Sequence, residues 1–132
     1  MDYCDSKMRV RYSETDQMGV AYHANYLVWF EVGRTDYCRH KGFTYERMER
    51  ESDSFMVVVE AFCRYRRALR YDQDFVVRTR VERVSSRTIT FDYRILHAGS
   101  RDELARGYTK HVVTNREGRA KVFPETFRKY FE

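Results

Sequence analysis

Three long runs of the chain, 75–82, 88–97 and 104–113, alternate apolar and polar residues one by one. A period of two places successive side chains on opposite faces of a strand, so each run buries one face and wets the other. The inward faces read Phe75, Val77, Thr79 and Val81; Ile89, Phe91, Tyr93 and Ile95; and Ala105, Gly107, Thr109, His111 and Val113. Residues 7–12 repeat the pattern with Met8, Val10 and Tyr12 inward, and residues 55–66 begin apolar and turn basic. Strands this closely spaced can join by tight turns only if they run antiparallel, because parallel neighbours need long crossovers. The pattern therefore predicts an antiparallel α+β domain.

One stretch breaks the alternation. Residues 25–41 (NYLVWFEVGRTDYCRHK) place Tyr26, Phe30, Gly33 and Tyr37 on one helical face, and Leu27, Phe30, Arg34 and Cys38 on the next. Asn25 can cap its start and Gly42 its end. Its first half is apolar nearly all round, which predicts burial. The small residues Ala105, Gly107 and Thr109 leave room for such a helix to lie close to their strand. Residues 44–51 predict a short polar helical turn, 119–123 a short last strand, and Pro124 the opening of a terminal helix. Glu31 and Arg34, spaced i, i+3, predict a structural ion pair. The 132 residues suit a single domain over 1–132, with no internal repeat or linker.

Several chemistries find no support. Cys4, Cys38 and Cys63 are an odd number without paired spacing, which fits reduced thiols better than a disulfide framework. No apolar run approaches the ~20 residues of a membrane span, and the N-terminus lacks a signal-like apolar region, so the reading is a soluble, cytoplasmic chain. Neither a G-x-S-x-G elbow, nor G-x-G-x-x-G, nor a P-loop occurs. The four histidines lack metal-ligand spacing, no C-x-x-C is present, and no metal is expected. His111, on an inward strand face, reads as a hydrogen-bonded core histidine. The net charge of +5 is spread along the chain and fits a nucleic acid, a small polyanion or simple solubility. Arg64, Arg66 and Arg70, interleaved with tyrosines, resemble a nucleic-acid surface. Strand parity, however, puts Tyr65 opposite Arg64 and Arg66, and favours a solvated strand end with core tyrosines.

The segment YSETDQMGVAYHANY (12–26) joins the first strand to the helix and crowds Glu14, Asp16, Gly19 and His23 together. The free N–H groups of a first helical turn attract negative charge. A carboxylate beside them can attack a carbonyl, or deprotonate water for the attack, while the amides hold the developing oxyanion. Asp16 can equally serve as a cap for its own turn. The residues alone leave both roles open.

Tyr12-x-x-Thr15-Asp16-x-x-Gly19-Val20-Ala21-Tyr22-His23-Ala24-Asn25-Tyr26, followed by Trp29-Phe30-Glu31-x-x-Arg34, resembles the signature of hotdog-fold acyl-CoA thioesterases. The likeness is nearest to the YbgC and 4-hydroxybenzoyl-CoA thioesterase group, dense over residues 9–42 and looser to about residue 123. It implies a five- or six-stranded antiparallel sheet wrapped around one long central helix. It further implies a catalytic carboxylate at Asp16, a polarising backbone amide at His23, and participation of the Tyr12 and His23 side chains. Ser86 and Arg87 match a segment that meets coenzyme A phosphates in relatives. The implied partners are an acyl-CoA substrate, an acyl carrier protein as its alternative, and a second copy forming a homodimer or homotetramer; no cofactor is implied beyond the coenzyme A of the substrate. A hotdog that binds acyl carriers without cleaving them, or a basic nucleic-acid module, is the alternative. Relatives carry Ala-Gly or Pro-Ala-Gly before the valine where this chain has Gln17-Met18-Gly19, which predicts an altered acyl pocket.

Overall fold

The computed structural model describes residues 2–132. Five strands, β1 (Cys4–Arg9), β2 (Phe55–Tyr65), β3 (Asp74–Val84), β4 (Thr88–His97) and β5 (Glu103–Thr114), form one antiparallel sheet in the order β1-β3-β4-β5-β2. The long helix α1 (Asn25–Lys41) packs across one face, followed by α2 (Tyr45–Ser52), and α3 (Glu125–Arg128) runs into a 3₁₀ turn, Lys129–Phe131. Helix and sheet meet through aromatic rings. Phe30 stacks on Tyr93 at 4.3 Å, and Trp29 lies 4.4 Å from Phe75. All four are fully buried, and each such side chain contributes about 1.5–3 kcal/mol relative to exposure.

The inward strand faces are those the alternation predicts: Phe75, Val77, Thr79, Ile89, Phe91, Tyr93, Ile95, Ala105, Thr109, His111 and Val113 are buried. Gly107 shows why small residues recur on β5. A Cβ there would stand 2.7 Å from a ring carbon of Phe30, so only glycine admits the helix this close. His111 is hydrogen-bonded in the core, its Nε2 lying 2.8 Å from Thr109 Oγ1. Gly42, at φ 101°, ends α1 as expected.

Four local expectations change. β1 ends at Arg9, opposite the first residue of β3, so Tyr12 has no strand partner; it opens a 3₁₀ turn and is 78% exposed rather than inward. The cap position of α1 falls on Ala24, and Asn25 instead donates its side-chain amide to the Glu14 carbonyl at 2.8 Å. Residues 119–123 add no sixth strand: they touch the sheet through a single bridge between Thr114 and Ala120. Glu31 stays on the exposed side of α1 and, among the described residues, forms no ion pair with Arg34, which is half-buried with its charge near Tyr93 and His111.

Candidate active site

Beyond Arg9 the chain leaves the sheet and builds a small closed corner. Thr15 and Ala21 bridge, the Asp16 N–H donates to the Val20 carbonyl at 2.9 Å, and the Gly19 N–H donates to the Asp16 carbonyl at 3.0 Å. Gly19 makes the turn at φ 78°, a conformation that costs other residues strain. Ala21 then donates to the Leu69 carbonyl at 2.7 Å, which pins the corner to the segment before β3. Asp16 is exposed at the tip. Its Oδ1 accepts the Met18 N–H at 2.9 Å, and its Oδ2 has no partner among the described residues. The carboxylate therefore caps its own turn with one oxygen and keeps the other for solvent or substrate.

Seven residues further on, His23 stands just before α1. Among the described residues its N–H has no hydrogen-bond acceptor, whereas its carbonyl takes the Tyr26 N–H at 3.2 Å and the Tyr65 hydroxyl at 3.0 Å. An N–H left open at the positive end of a 17-residue helix is a donor for developing negative charge. Asp16 lies between two clefts. One, of about 270 Å³, is lined by His23, Tyr26, Tyr65, Arg66 and Arg67. The other, about 910 Å³ and open, holds Tyr12, Tyr22 and Tyr71. Asp16 thus lines a cleft with each of the other two residues, Tyr12 in the open one and His23 in the smaller one.

Two residues that hold this corner carry no assigned role from the sequence. Tyr65 reads there as a core tyrosine at a strand end; it is instead 45% exposed and donates to the turn that presents the His23 N–H. Partial burial, with Cys63 beside it, pushes its phenol up to about 12, so it remains a donor at neutral pH. Glu14 is buried beneath the corner and bonds the Trp29 indole N–H at 2.9 Å. Its spacing from Arg11, i, i+3, is the one sequence signal of a local cap.

A family model described as the thioesterase-like superfamily matches residues 10–131, nearly the whole chain and all of this corner. The chain belongs to that superfamily. YneP of Bacillus subtilis is 35% identical over 131 residues, covering 99% of this chain and 91% of the relative. The acyl-CoA thioesterase YbgC of Haemophilus influenzae is 38% identical over 89 residues, covering 67% of this chain and 65% of that protein. The DHNA-CoA thioesterase of Staphylococcus aureus superposes with a TM-score of 0.90 at 30% identity, covering 98% of this chain and 87% of that one. The sheet wrapped around α1 is the hotdog fold of these thioesterases.

Against that thioesterase frame, Ser86 and Arg87 fall elsewhere. They occupy the turn between β3 and β4, with the Ser86 carbonyl accepting from Phe123 at 2.7 Å. β3 starts beside the Asp16 corner and ends at this turn; its 11 residues span roughly 35 Å. Within the chain the two segments lie at opposite ends of the sheet. Met18 points outward and is 79% exposed. In the basic stretch Arg66 pairs with Glu103 at 3.2 Å, Arg67 with Asp102 at 3.5 Å, and Arg64 lies over the Phe62 ring. Among the described residues no group of three or more His, Cys, Asp or Glu is placed to hold a metal ion, and no helix is long and apolar enough to cross a membrane.

Proposed function

We propose that this chain is an acyl-CoA thioesterase in which Asp16 carries the chemistry and the His23 N–H holds the oxyanion. The observation that supports it most directly is an Asp16 oxygen without a partner on the same short corner as an N–H without an acceptor. A thioester carbonyl seated on the His23 N–H is polarised by the helix terminus. Asp16 then attacks the carbonyl carbon, or takes a proton from the water that does. As the tetrahedral centre collapses, the carbon–sulfur bond breaks and coenzyme A leaves as a thiolate. If attack is covalent, water hydrolyses the resulting anhydride and returns Asp16 as a carboxylate. A thiolate is a good leaving group, so the reaction needs no serine triad, and the reading requires no cofactor beyond the coenzyme A of the substrate. A soluble, cytoplasmic setting fits such a substrate.

The same proposal includes a second copy. Val57, Val58, Val59 and Phe62 on the edge strand β2, with Leu27, Val28 and Val32 on α1, are between 36% and 53% exposed. An apolar edge strand of this kind is a template for pairing. Antiparallel pairing of two β2 edges turns the partner's sheet end for end. That motion carries the second copy's β3–β4 turn to the end of the joint sheet where Asp16 lies, and gives Ser86 and Arg87 a route to coenzyme A phosphates.

Thiol release from a panel of aliphatic and aromatic acyl-CoAs and acyl carrier protein thioesters tests the reading. Hydrolysis of at least one class, abolished in Asp16→Asn, is the expected result. Binding without turnover would replace it with a carrier-holding role, and steep, salt-dependent RNA binding without turnover would replace it with a nucleic-acid one.

A further inference from the structure

Glu14 takes no part in the reaction just described, yet it is the one acidic side chain buried among the described residues, at 6% exposure. Its carboxylate collects three donors: the Arg11 N–H at 2.8 Å, the Arg11 guanidinium at 3.3 Å and the Trp29 indole N–H at 2.9 Å. Its backbone carbonyl collects two more, the Asn25 side-chain amide and the Tyr22 N–H, both at 2.8 Å. Arg11 marks where the chain leaves β1, Tyr22 where the corner returns, and Asn25 and Trp29 the first two turns of α1. A single residue therefore ties both ends of the corner to the helix, and Asp16 and His23 lie inside the segment so clamped.

We propose that Glu14 is a positioning residue, which fixes the separation of the Asp16 carboxylate from the His23 N–H by clamping both ends of their segment to α1. The proposal rests on the thioesterase reading and adds to it a residue that touches neither substrate nor reacting atoms.

The role requires a carboxylate. The Arg11 N–H uses Oε1, while the Arg11 guanidinium and the Trp29 N–H share Oε2. A glutamine has one acceptor end and one donor end, so in either orientation its amide N–H₂ faces another N–H. The core itself does not depend on this bond. Trp29 is fully buried and already packed against Phe75 at 4.4 Å and Tyr26 at 4.8 Å. Losing the clamp should therefore loosen the corner more than the fold. Reaction rates are sensitive to displacements of that size, because proximity falls away within about an ångström.

The test is steady-state hydrolysis of a turned-over acyl-CoA by wild type, Asp16→Asn, Glu14→Gln, Trp29→Phe and the Glu14→Gln/Trp29→Phe double variant, well below each melting temperature. Glu14→Gln should lower kcat about tenfold to a hundredfold while KM stays within about twofold. Trp29→Phe, which keeps a ring and deletes one donor, should lower kcat less. The double variant should be no slower than Glu14→Gln, since both changes break one shared bond. Trp29 is the only tryptophan, so its emission should shift in Glu14→Gln as a direct sign that the bond is gone. A wild-type kcat in Glu14→Gln, a loss carried by KM, or a deficit that vanishes on cooling would overturn the proposal. Should Glu14→Gln fail to fold, Trp29→Phe carries the test: a lower kcat at constant KM supports the clamp, and an unchanged kcat overturns it. Full turnover in Asp16→Asn would instead sink the thioesterase assignment of Asp16, and the clamp with it. An inactive Asp16→Asn beside a fully active Glu14→Gln removes the clamp alone.

Discussion

The Tyr65 hydroxyl donates to the His23 carbonyl across 3.0 Å, so the last residue of the edge strand β2 holds the turn that opens α1. Removing that donor leaves the carbonyl with only the Tyr26 N–H and loosens the peptide that follows the oxyanion donor. Tyr65→Phe should lower kcat about threefold to tenfold, the worth of one neutral hydrogen bond of about 0.5–1.5 kcal/mol. Because the phenol is pushed up to about 12, the ratio of variant to wild type should be flat across neutral pH. A pH–rate profile of both proteins checks this.

Asp16→Asn preserves shape and removes both charge and basicity. We expect kcat to fall by roughly two to four orders of magnitude, the usual worth of a positioned base. The fold should survive, since a turn carboxylate contributes at most about 2 kcal/mol as a cap. His23→Ala keeps the backbone N–H and should cost less. Steady-state kinetics with thermal melts as the folding control separates the two effects. Near-wild-type turnover in folded Asp16→Asn would take that residue out of the chemistry.

If two β2 edges pair, the protein should sediment as a dimer or larger at micromolar concentration, with an interface of at least about 1,600 Å². Val58→Lys, which places a charge in the middle of the apolar edge, should yield monomers and lose activity with them. Complementation gives a sharper check. Arg87→Ala should raise KM for acyl-CoA, and refolding it with Asp16→Asn should regenerate about a quarter of the wild-type sites, as random pairing in a two-fold dimer requires. Additive activities with no gain on mixing would confine each site to a single chain.

Burial, with the Arg34 charge nearby, pushes His111 down to about 4 from an ordinary value of 6.5. Above the ordinary value the ring is neutral both folded and unfolded, and stability owes nothing to its titration. Between 6.5 and about 4 the unfolded chain binds a proton that the folded chain refuses, so stability falls as pH falls. The loss should reach about 3 kcal/mol and level off below the folded value. Glu14, which burial alone would raise but bonds from Arg11 and Trp29 hold below its ordinary 4.5, loses its contribution as pH falls below 4.5. Urea midpoints of wild type and His111→Gln at several pH values test this: the variant should lack the drop between the two His111 values.

Much of the fold is legible in the sequence because burial enforces period. Phe91, Tyr93 and Ile95 alternate since a slip of one residue would turn each of them into water. Gly107 is readable as a place of close approach, although which ring arrives, that of Phe30, depends on helix rotation. The parts that escape reading are set by partners distant in sequence. Asn25 has the chemistry of a cap, but the Glu14 carbonyl, 11 residues earlier, claims its side chain. Arg34 has Glu31 within one helical turn, yet its charge lies near Tyr93 and His111, on strands distant in sequence. Tyr65 sits at a parity that predicts an inward side chain, and only the tertiary placement of His23 makes it a brace for the site. Asp16 and His23 are visible from the motif, while the open N–H and the unshared carboxylate oxygen that give them meaning emerge only once the chain has turned.

The strand order β1-β3-β4-β5-β2 puts β1 and β2, neighbours in the chain, at opposite edges of the sheet. β2 leaves the ribosome early, yet its sole partner β5 ends roughly 50 residues later, a delay of about 3–10 s at ordinary synthesis rates. During that interval the most apolar stretch of the nascent chain, around Val57–Val59, has nothing of its own to pair with. Two ribosomes translating one message hold such stretches at high local concentration. The hazard of premature strand pairing and the opportunity for cotranslational assembly therefore reside in the same eleven residues of β2.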